Sequence, residues 1–269
     1  MNFPFSKYML WAFLLGLSIL LNSACQREEG CLDASATNYD VSADLNCCCE
    51  YPVFEFRIFR VAGSADYSPD SAYVDAGNNA FSIADVRFYI SEVHLVNDSG
   101  TEVGVTDSIG IEKLDGSGAL VEDNFIRVNP DQNLYELGTI LTQGNFNTVR
   151  FTVGLAEDVN HGNPDIFSVD HPLAIQSDSL HIDQQSGYKF NAMDIVISND
   201  TTSYFVSGDQ NAVELEIDYD ITAVKAFDVE VQIDVDLLAL LDGVDFSVDD
   251  FNTIQSKIVN NTPAAFTKH

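Results

Sequence analysis

From Val213 to Asp220 apolar side chains alternate with acids, Val213, Leu215, Ile217 and Tyr219 against Glu214, Glu216, Asp218 and Asp220. The run Val229, Val231, Ile233 and Val235 against Glu230, Gln232, Asp234 and Asp236 repeats it. A period of two sends one set of side chains to each face of a strand, and a slip of one residue would bury the carboxylates. These segments therefore read as strands with one buried face. The same period places Phe54, Phe56 and Ile58 opposite Glu55, Arg57 and Phe59. It recurs from Val86 to Leu95, ahead of a turn at Asn97 to Gly100, and from Val149 to Val153. Helical spacing is confined to Val248 to Asn260, where Phe251, Ile254 and Ile258 share a face, Ser247 is placed to cap, and Asp249 and Asp250 fall in the first turn. The expectation is an all-β chain, an antiparallel β-sandwich of Greek-key type with a short C-terminal helix. Acids along the exposed faces also discourage edge-to-edge pairing.

Ahead of the strands, Lys7 precedes an apolar run from Met9 to Leu21 that ends in Leu21-Asn22-Ser23-Ala24-Cys25. This is the pattern of a signal peptide over residues 1–24, with small residues before a cysteine as in a bacterial lipoprotein. Cys25 is then the lipidated residue and Gln26 to Glu29 a short tether. The chain is expected to be exported and held to an outer membrane by its N-terminal lipid, with the membrane face left open. Three parts follow: the signal peptide at 1–24, the tether with a Cys/Asp-rich module at 25–51, and a β-sandwich domain at 52–269.

Loss of residues 1–24 removes Lys7 and no acid, taking the net charge from −30 to −31. Such a field repels phosphate, so nucleic acid is not an expected partner. Four cysteines remain beyond Cys25, at 31, 47, 48 and 49, and in an exported chain disulfides are the default. The stretch GCLDASATNYDVSADLNCCCEYP resembles a short Asp-rich module of secreted bacterial proteins, through Gly30-Cys31, Asp33, Asn38-Tyr39-Asp40 and Cys49-Glu50-Tyr51-Pro52. The resemblance implies a Cys31–Cys49 bridge and leaves Cys47 and Cys48 either as a vicinal pair or as partners of something else. Asp33, Asn38, Asp40 and Asp44 offer the hard oxygens that Ca²⁺ takes, at a spacing unlike an EF-hand loop.

No Gly-x-Ser-x-Gly, His-Glu-x-x-His or phosphate-cradling glycine loop occurs, and the chain is not expected to be an enzyme. A hydrolase built on an unrecognised carboxylate pair ranks third among the readings. The histidines say more. His161, His171 and His181 fall within one connection, and imidazole suits copper and zinc. Asp165, Asp170 or Asp178 are available as a further ligand for zinc. His94, on an outward strand position, and His269, at the C-terminus, are not favoured.

Five ordered pieces carry a further resemblance: DVRFYISEVHLVNDSG (Asp85–Gly100), VRFTVGLAEDVNH (Val149–His161), Pro172-Leu173, GYKF (Gly187–Phe190) and IVNNTPAAF (Ile258–Phe266). Their order resembles the MbnP-like proteins, the methanobactin-associated copper-binding family. The resemblance implies a β-rich exported domain that binds copper, in some members through histidines and an oxidised tryptophan. His161 matches the family's Asn-His. Ile182 and Gln184 stand where tryptophans are common, and Trp11, the chain's one tryptophan, lies in the signal peptide, which rules out a ligand made from tryptophan in the mature chain. The leading expectation is thus a lipoprotein binding module taking copper through His161, His171 and His181. The rival is a cell-surface structural or interaction protein with an acidic, calcium-binding surface and no copper site.

Overall fold

The computed structural model describes residues 27–175 and 180–269 of the chain. The expected signal peptide with Trp11, the expected lipid acceptor Cys25, and Asp178 lie outside the described residues. The chain divides into two compact units, Met1–Tyr51 and Pro52–His269.

The smaller unit is a set of turns closed by a Cys31–Cys49 disulfide across 18 residues, with a two-residue parallel pair, Glu29–Gly30 on Leu45–Asn46. Its acids shape the turns. Asp33 accepts from the backbone N–H of Ser35 and from the Tyr51 hydroxyl, Asp40 accepts from Ser42, and Asp44 accepts from the Glu28 N–H. Asn38 bridges Cys48 O and Glu50 N. The four residues read as calcium ligands thus bond their own loops, and no group of three or more metal-ligating side chains forms among the described residues.

In the larger unit the period-two segments become strands: β1 (Val53–Ala62), β2 (Ala80–Val96), β3 (Ile126–Val128), β4 (Leu134–Thr139), β5 (Gly144–Val153), β6 (His181–Asp183), β7 (Gly187–Ile197), β8 (Asp200–Ser207), β9 (Val213–Ala223), β10 (Val229–Asp236) and β11 (Phe266–Lys268). The large sheet runs β6-β7-β2-β5-β9, with β8 also on β7 and β3 also on β2. The small sheet runs β4-β1-β10-β11. Their inner faces form one core. Phe56 of β1 meets Phe151 of β5 edge-on at 5.6 Å, and Phe266 of β11 meets Phe88 and Phe151 at 5.6 and 5.9 Å. Each such ring pair adds about 0.5–1.5 kcal/mol beyond the area it buries. The antiparallel sandwich read from the alternation is present.

Three details differ from the sequence reading. β1 and β10 pair in parallel, Phe54 opposite Val229 through Val61 opposite Asp236. The unit's first long strand and its last long one enter the small sheet in the same direction, because the whole large sheet lies between them in sequence. The polar face of β10 is also not plain solvated carboxylate: Glu230 takes two bonds from Arg57, Asp234 bonds His269, and Asp236 caps the helical turn α2 (Leu237–Leu240). Finally, the C-terminal helix, α3, spans Phe251–Ala265, with Asp250 accepting from Thr253 N as its cap. Ser247 instead folds back on Asp245. Asp249 accepts from Asp245 N and pairs with Lys257, which fixes the chain before the helix begins. No described helix is long and apolar enough to cross a membrane.

Candidate functional site

The chain enters the site through a single helical turn, α1 (Glu157–Asn160), preceded in the turn Ala156 and followed by His161. Asn160 is fully buried. Its Oδ1 accepts from the Tyr188 N–H at 2.7 Å, and its Nδ2 donates to Asp209 Oδ1 at 2.7 Å. Gly187, next to Tyr188, sits at φ +73°, and a Cβ there would lie 2.3 Å from Asn160 Oδ1. A side chain at 187 would therefore strain the backbone and also displace the amide. Asn160-His161 and Gly187-Tyr188, separate words in the sequence, are one interlocked piece of structure.

Tyr188 is the hub of the surrounding connection. Its ring is buried, its hydroxyl donates to Leu173 O at 2.6 Å, and burial raises its phenol. It packs edge-on against Tyr89 at 5.5 Å and against the His181 ring at 4.8 Å. Tyr89 in turn donates to Pro172 O. The segments carrying His161, His171 and His181 are thus all fastened to Tyr188, two of them through backbone or neighbouring residues.

The rings themselves are held separately. His161 stands between two acceptors, with Nδ1 3.0 Å from Gln184 O and Nε2 3.0 Å from Asp209 Oδ2. A neutral imidazole has one donor and one acceptor nitrogen, so this bracket is satisfied only when both nitrogens face a positive partner: two protons, or one proton and a metal ion. Partial burial lowers the imidazole's affinity for a proton, but the Asp209 and Gln184 bonds and the charges of Asp209 and Glu157 outweigh it and raise its pKa above the ordinary 6.5. Asp209 moves the other way: its burial opposes charge, while the bonds from Asn160 and His161 lower it below the ordinary 3.8. A cavity of about 300 Å³ opens beside the ring, lined by Lys113, Asp115, Glu157 and Asp158 as well as His161.

His171 is wired differently, its Nδ1 accepting from Leu173 N at 3.2 Å and its Nε2 donating to Asp123 Oδ1 at 3.0 Å, while the ring stacks on Phe167. Both nitrogens are satisfied in the neutral tautomer. Burial lowers the pKa of His181, against the pull of Asp183 and Asp165. Among the described residues no three His, Cys, Asp or Glu side chains converge as a metal cluster, so the three histidines flank one hub without meeting at one point.

Nothing in the sequence points to Asp209, which lies 48 residues beyond His161, or to the Gln184 carbonyl. It also passed over His94. There the bracket of His161 is repeated: Nδ1 lies 2.8 Å from Glu92 O and Nε2 3.2 Å from Glu122 Oε2, and the buried Asn124 donates to Glu122. Glu92 sits at φ +54° where β2 slips register against β5, a bulge that re-aims the strand and with it His94. A cavity of about 220 Å³ borders Glu92, His94, Glu122 and Asn124.

The wiring around Asn160-His161 and Gly187-Tyr188 joins two pieces of the family resemblance, and the family model for MbnP matches residues 52–259. The chain belongs to the MbnP family. The solved structure of MbnP from Methylosinus trichosporium is similar at 15% identity and a TM-score of 0.45, over 73% of this chain and 79% of that one. No curated protein matches the sequence.

The donors of this chain can be compared with what a copper ion would need. Three convergent imidazoles would suit the cuprous ion, and no such group of three forms among the described residues. An imidazole beside a carboxylate suits the cupric ion. In this MbnP domain His161 Nε2 and Asp209 Oδ2 supply that N,O pair, 3.0 Å apart, a separation compatible with neighbouring ligands of one ion at about 2.0–2.2 Å each. The bond from Nδ1 to Gln184 O is a contact of the kind that fixes the tautomer of a ligating histidine.

Proposed function

We propose that this chain is an exported, lipid-anchored binding module of the MbnP family that holds a cupric ion through His161 and Asp209. The observation that supports it is the two-acceptor bracket around His161, which leaves Nε2 facing a carboxylate where a cation satisfies both. Asn160 orients Asp209 from inside the core, so the donor pair is set before any ion arrives. His161 Nε2 and Asp209 Oδ2 would hold the ion with the imidazole neutral and the carboxylate ionised. The chain's own part is to aim Nε2, fix the carboxylate and keep the imidazole beside an open cavity bordered by Asp115, Glu157 and Asp158. His171 is no ligand in this reading, because Leu173 N and Asp123 already use both its nitrogens. The anchoring rests on the small residues before Cys25, and Cys25→Ser is expected to move the protein from the membrane fraction to the soluble one.

Cupric titration of the purified chain by calorimetry tests the site. One ion per chain is expected to bind in moderate salt, and His161→Ala is expected to weaken it by roughly tenfold or more, about 1.4 kcal/mol. Asp209→Asn weakens it less, and His171→Ala leaves it unchanged. Affinity that follows His94→Ala instead of His161→Ala places the ion at the other bracketed histidine and refutes the assignment. Affinity that no histidine variant changes and that vanishes with salt is diffuse binding by surface acids, and favours the interaction-module reading.

A further inference from the structure

Among the described residues, the two cysteines outside the Cys31–Cys49 disulfide are neighbours in sequence and in space. Cys47 is half-buried and Cys48 exposed, and their sulfurs are 2.6 Å apart. That is far inside the ordinary contact of two sulfur atoms and only about 0.5 Å beyond a covalent S–S bond. Three features hold them there. Cys47 N donates to Gly30 O, Asn38 Nδ2 donates to Cys48 O at 2.7 Å, and Cys49 is tied to the buried Cys31. Between these anchors the chain turns through a left-handed residue, Cys48 at φ +57°, and that turn brings the two adjacent side chains to one side.

We propose that Cys47 and Cys48 form a reversible vicinal disulfide, a redox site separate from the structural Cys31–Cys49 bridge. The compartment that keeps Cys31–Cys49 oxidised is oxidising enough to close a second bridge. The oxidant is a disulfide, small or protein-borne. The Cys48 thiolate attacks one of its sulfurs, making a mixed disulfide and releasing one thiol. The Cys47 thiolate then attacks the Cys48 sulfur and expels the second. In sum, two cysteine thiols and one disulfide become one vicinal disulfide and two thiols, so protons and electrons balance. The order follows from exposure, and also from acidity: the Cys48 thiol, burial and the negative charge of Glu29 raise the Cys47 pKa to about 11, which favours Cys48 as the first nucleophile. Opening reverses the sequence. An eight-membered ring through a single peptide bond is strained and this one lies at the surface, so a thiol reductant opens it before it reaches the bridge at the buried Cys31.

The test is iodoacetamide labelling with peptide mass mapping of the full chain, after treatment with oxidised glutathione and then with rising reduced glutathione. The expected result is no label on Cys47 or Cys48 after oxidation, then both labelled together while Cys31–Cys49 remains closed. In Cys48→Ser the first nucleophile and the partner sulfur are both lost, so Cys47 can close no ring and is expected to keep any glutathione adduct it forms or to take the label without reductant. The proposal is overturned if oxidised wild-type protein labels at both positions, if it keeps a stable glutathione adduct on Cys48, or if mapping links Cys31 to Cys47 or Cys48. It is also overturned if Cys47 stays as unreactive in Cys48→Ser as in the oxidised wild type, since burial and not a bond would then protect it.

Discussion

His161 and His181 lie 20 residues apart in one connection, on either side of the same tyrosine, and their acid–base chemistry is driven in opposite directions. The His161 ring is partly buried too, yet Asp209 and Gln184 O take both its nitrogens and raise its pKa. The His181 ring lies edge-on against Tyr188, and desolvation wins over the more distant Asp183 and Asp165, lowering it. Burial alone does not decide whether a histidine holds a cation; an acceptor fixed at each nitrogen does. In this chain the fixing is done by Asn160, which ties Asp209 to Tyr188 and so joins the two environments.

The largest effect is expected where that tie is cut. Asn160→Ala leaves the buried Tyr188 N–H without its acceptor and frees Asp209, and unfolding in urea is expected to show a loss of about 2–3 kcal/mol. Gly187→Ala, which drives a Cβ into the Asn160 amide at a positive φ, acts on the same contact, so the double variant is expected to lose less than the sum of the two. Additive losses would show that the Asn-His and Gly-Tyr pieces are independent.

A smaller, pH-dependent effect comes from Asp209→Asn. The raised pKa of His161 gives stability that is complete below the ordinary 6.5 and is lost as pH rises through the raised value. The lowered pKa of Asp209 gives stability that is present above the ordinary 3.8 and is lost as pH falls through the lowered value. Both hold between about 4 and 6.5. There the variant is expected to cost about 0.5–1.5 kcal/mol, a figure held down by the 37% exposure of the Asp209 side chain. Urea midpoints at pH 5.5 and 8.5 check it, with the larger difference expected at pH 5.5.

The smallest effect belongs to His181→Phe, which keeps an aromatic ring against Tyr188 and removes the proton site. Because the pKa of His181 is lowered in the fold, the native protein loses stability as pH falls through 6.5 toward that lower value. The variant is expected to lack this loss, with a change below about 1 kcal/mol. An unchanged slope of stability against pH in that range would remove His181 from the comparison.

What could be read in advance follows the range of each interaction. Alternation along Val213 to Asp220 reports a local property, which side of a strand is buried, and so the sandwich was legible. The parallel partnership of β1 with β10 was not, since it joins residues about 175 positions apart, as the Val53 N–H bond to Asp228 shows, and nothing in either strand names its partner. The C-terminal helix was legible, but its start was not: four carboxylates and hydroxyls compete to cap it, and Asp250 wins only because Asp245, Ser247 and Asp249 are bound to one another. At the site, His161 was visible as a residue and Asp209 was not, because one acid among 42 carries no mark of the histidine it meets. The clue present in the sequence was Gly187. A glycine at the head of a strand signals a close approach by another group, and here that group is the Asn160 side chain.

The most direct test of the contrast between the two histidines is a proton-resolved NMR titration of their ring resonances, in the wild-type chain and in Asp209→Asn. His161 is expected to titrate above 6.5 and His181 below it, and Asp209→Asn is expected to lower the His161 midpoint while leaving that of His181 in place. Coincident midpoints, or a His161 midpoint indifferent to Asp209, would contradict the account in which the bracket of Asp209 and Gln184 O favours a positive partner at His161.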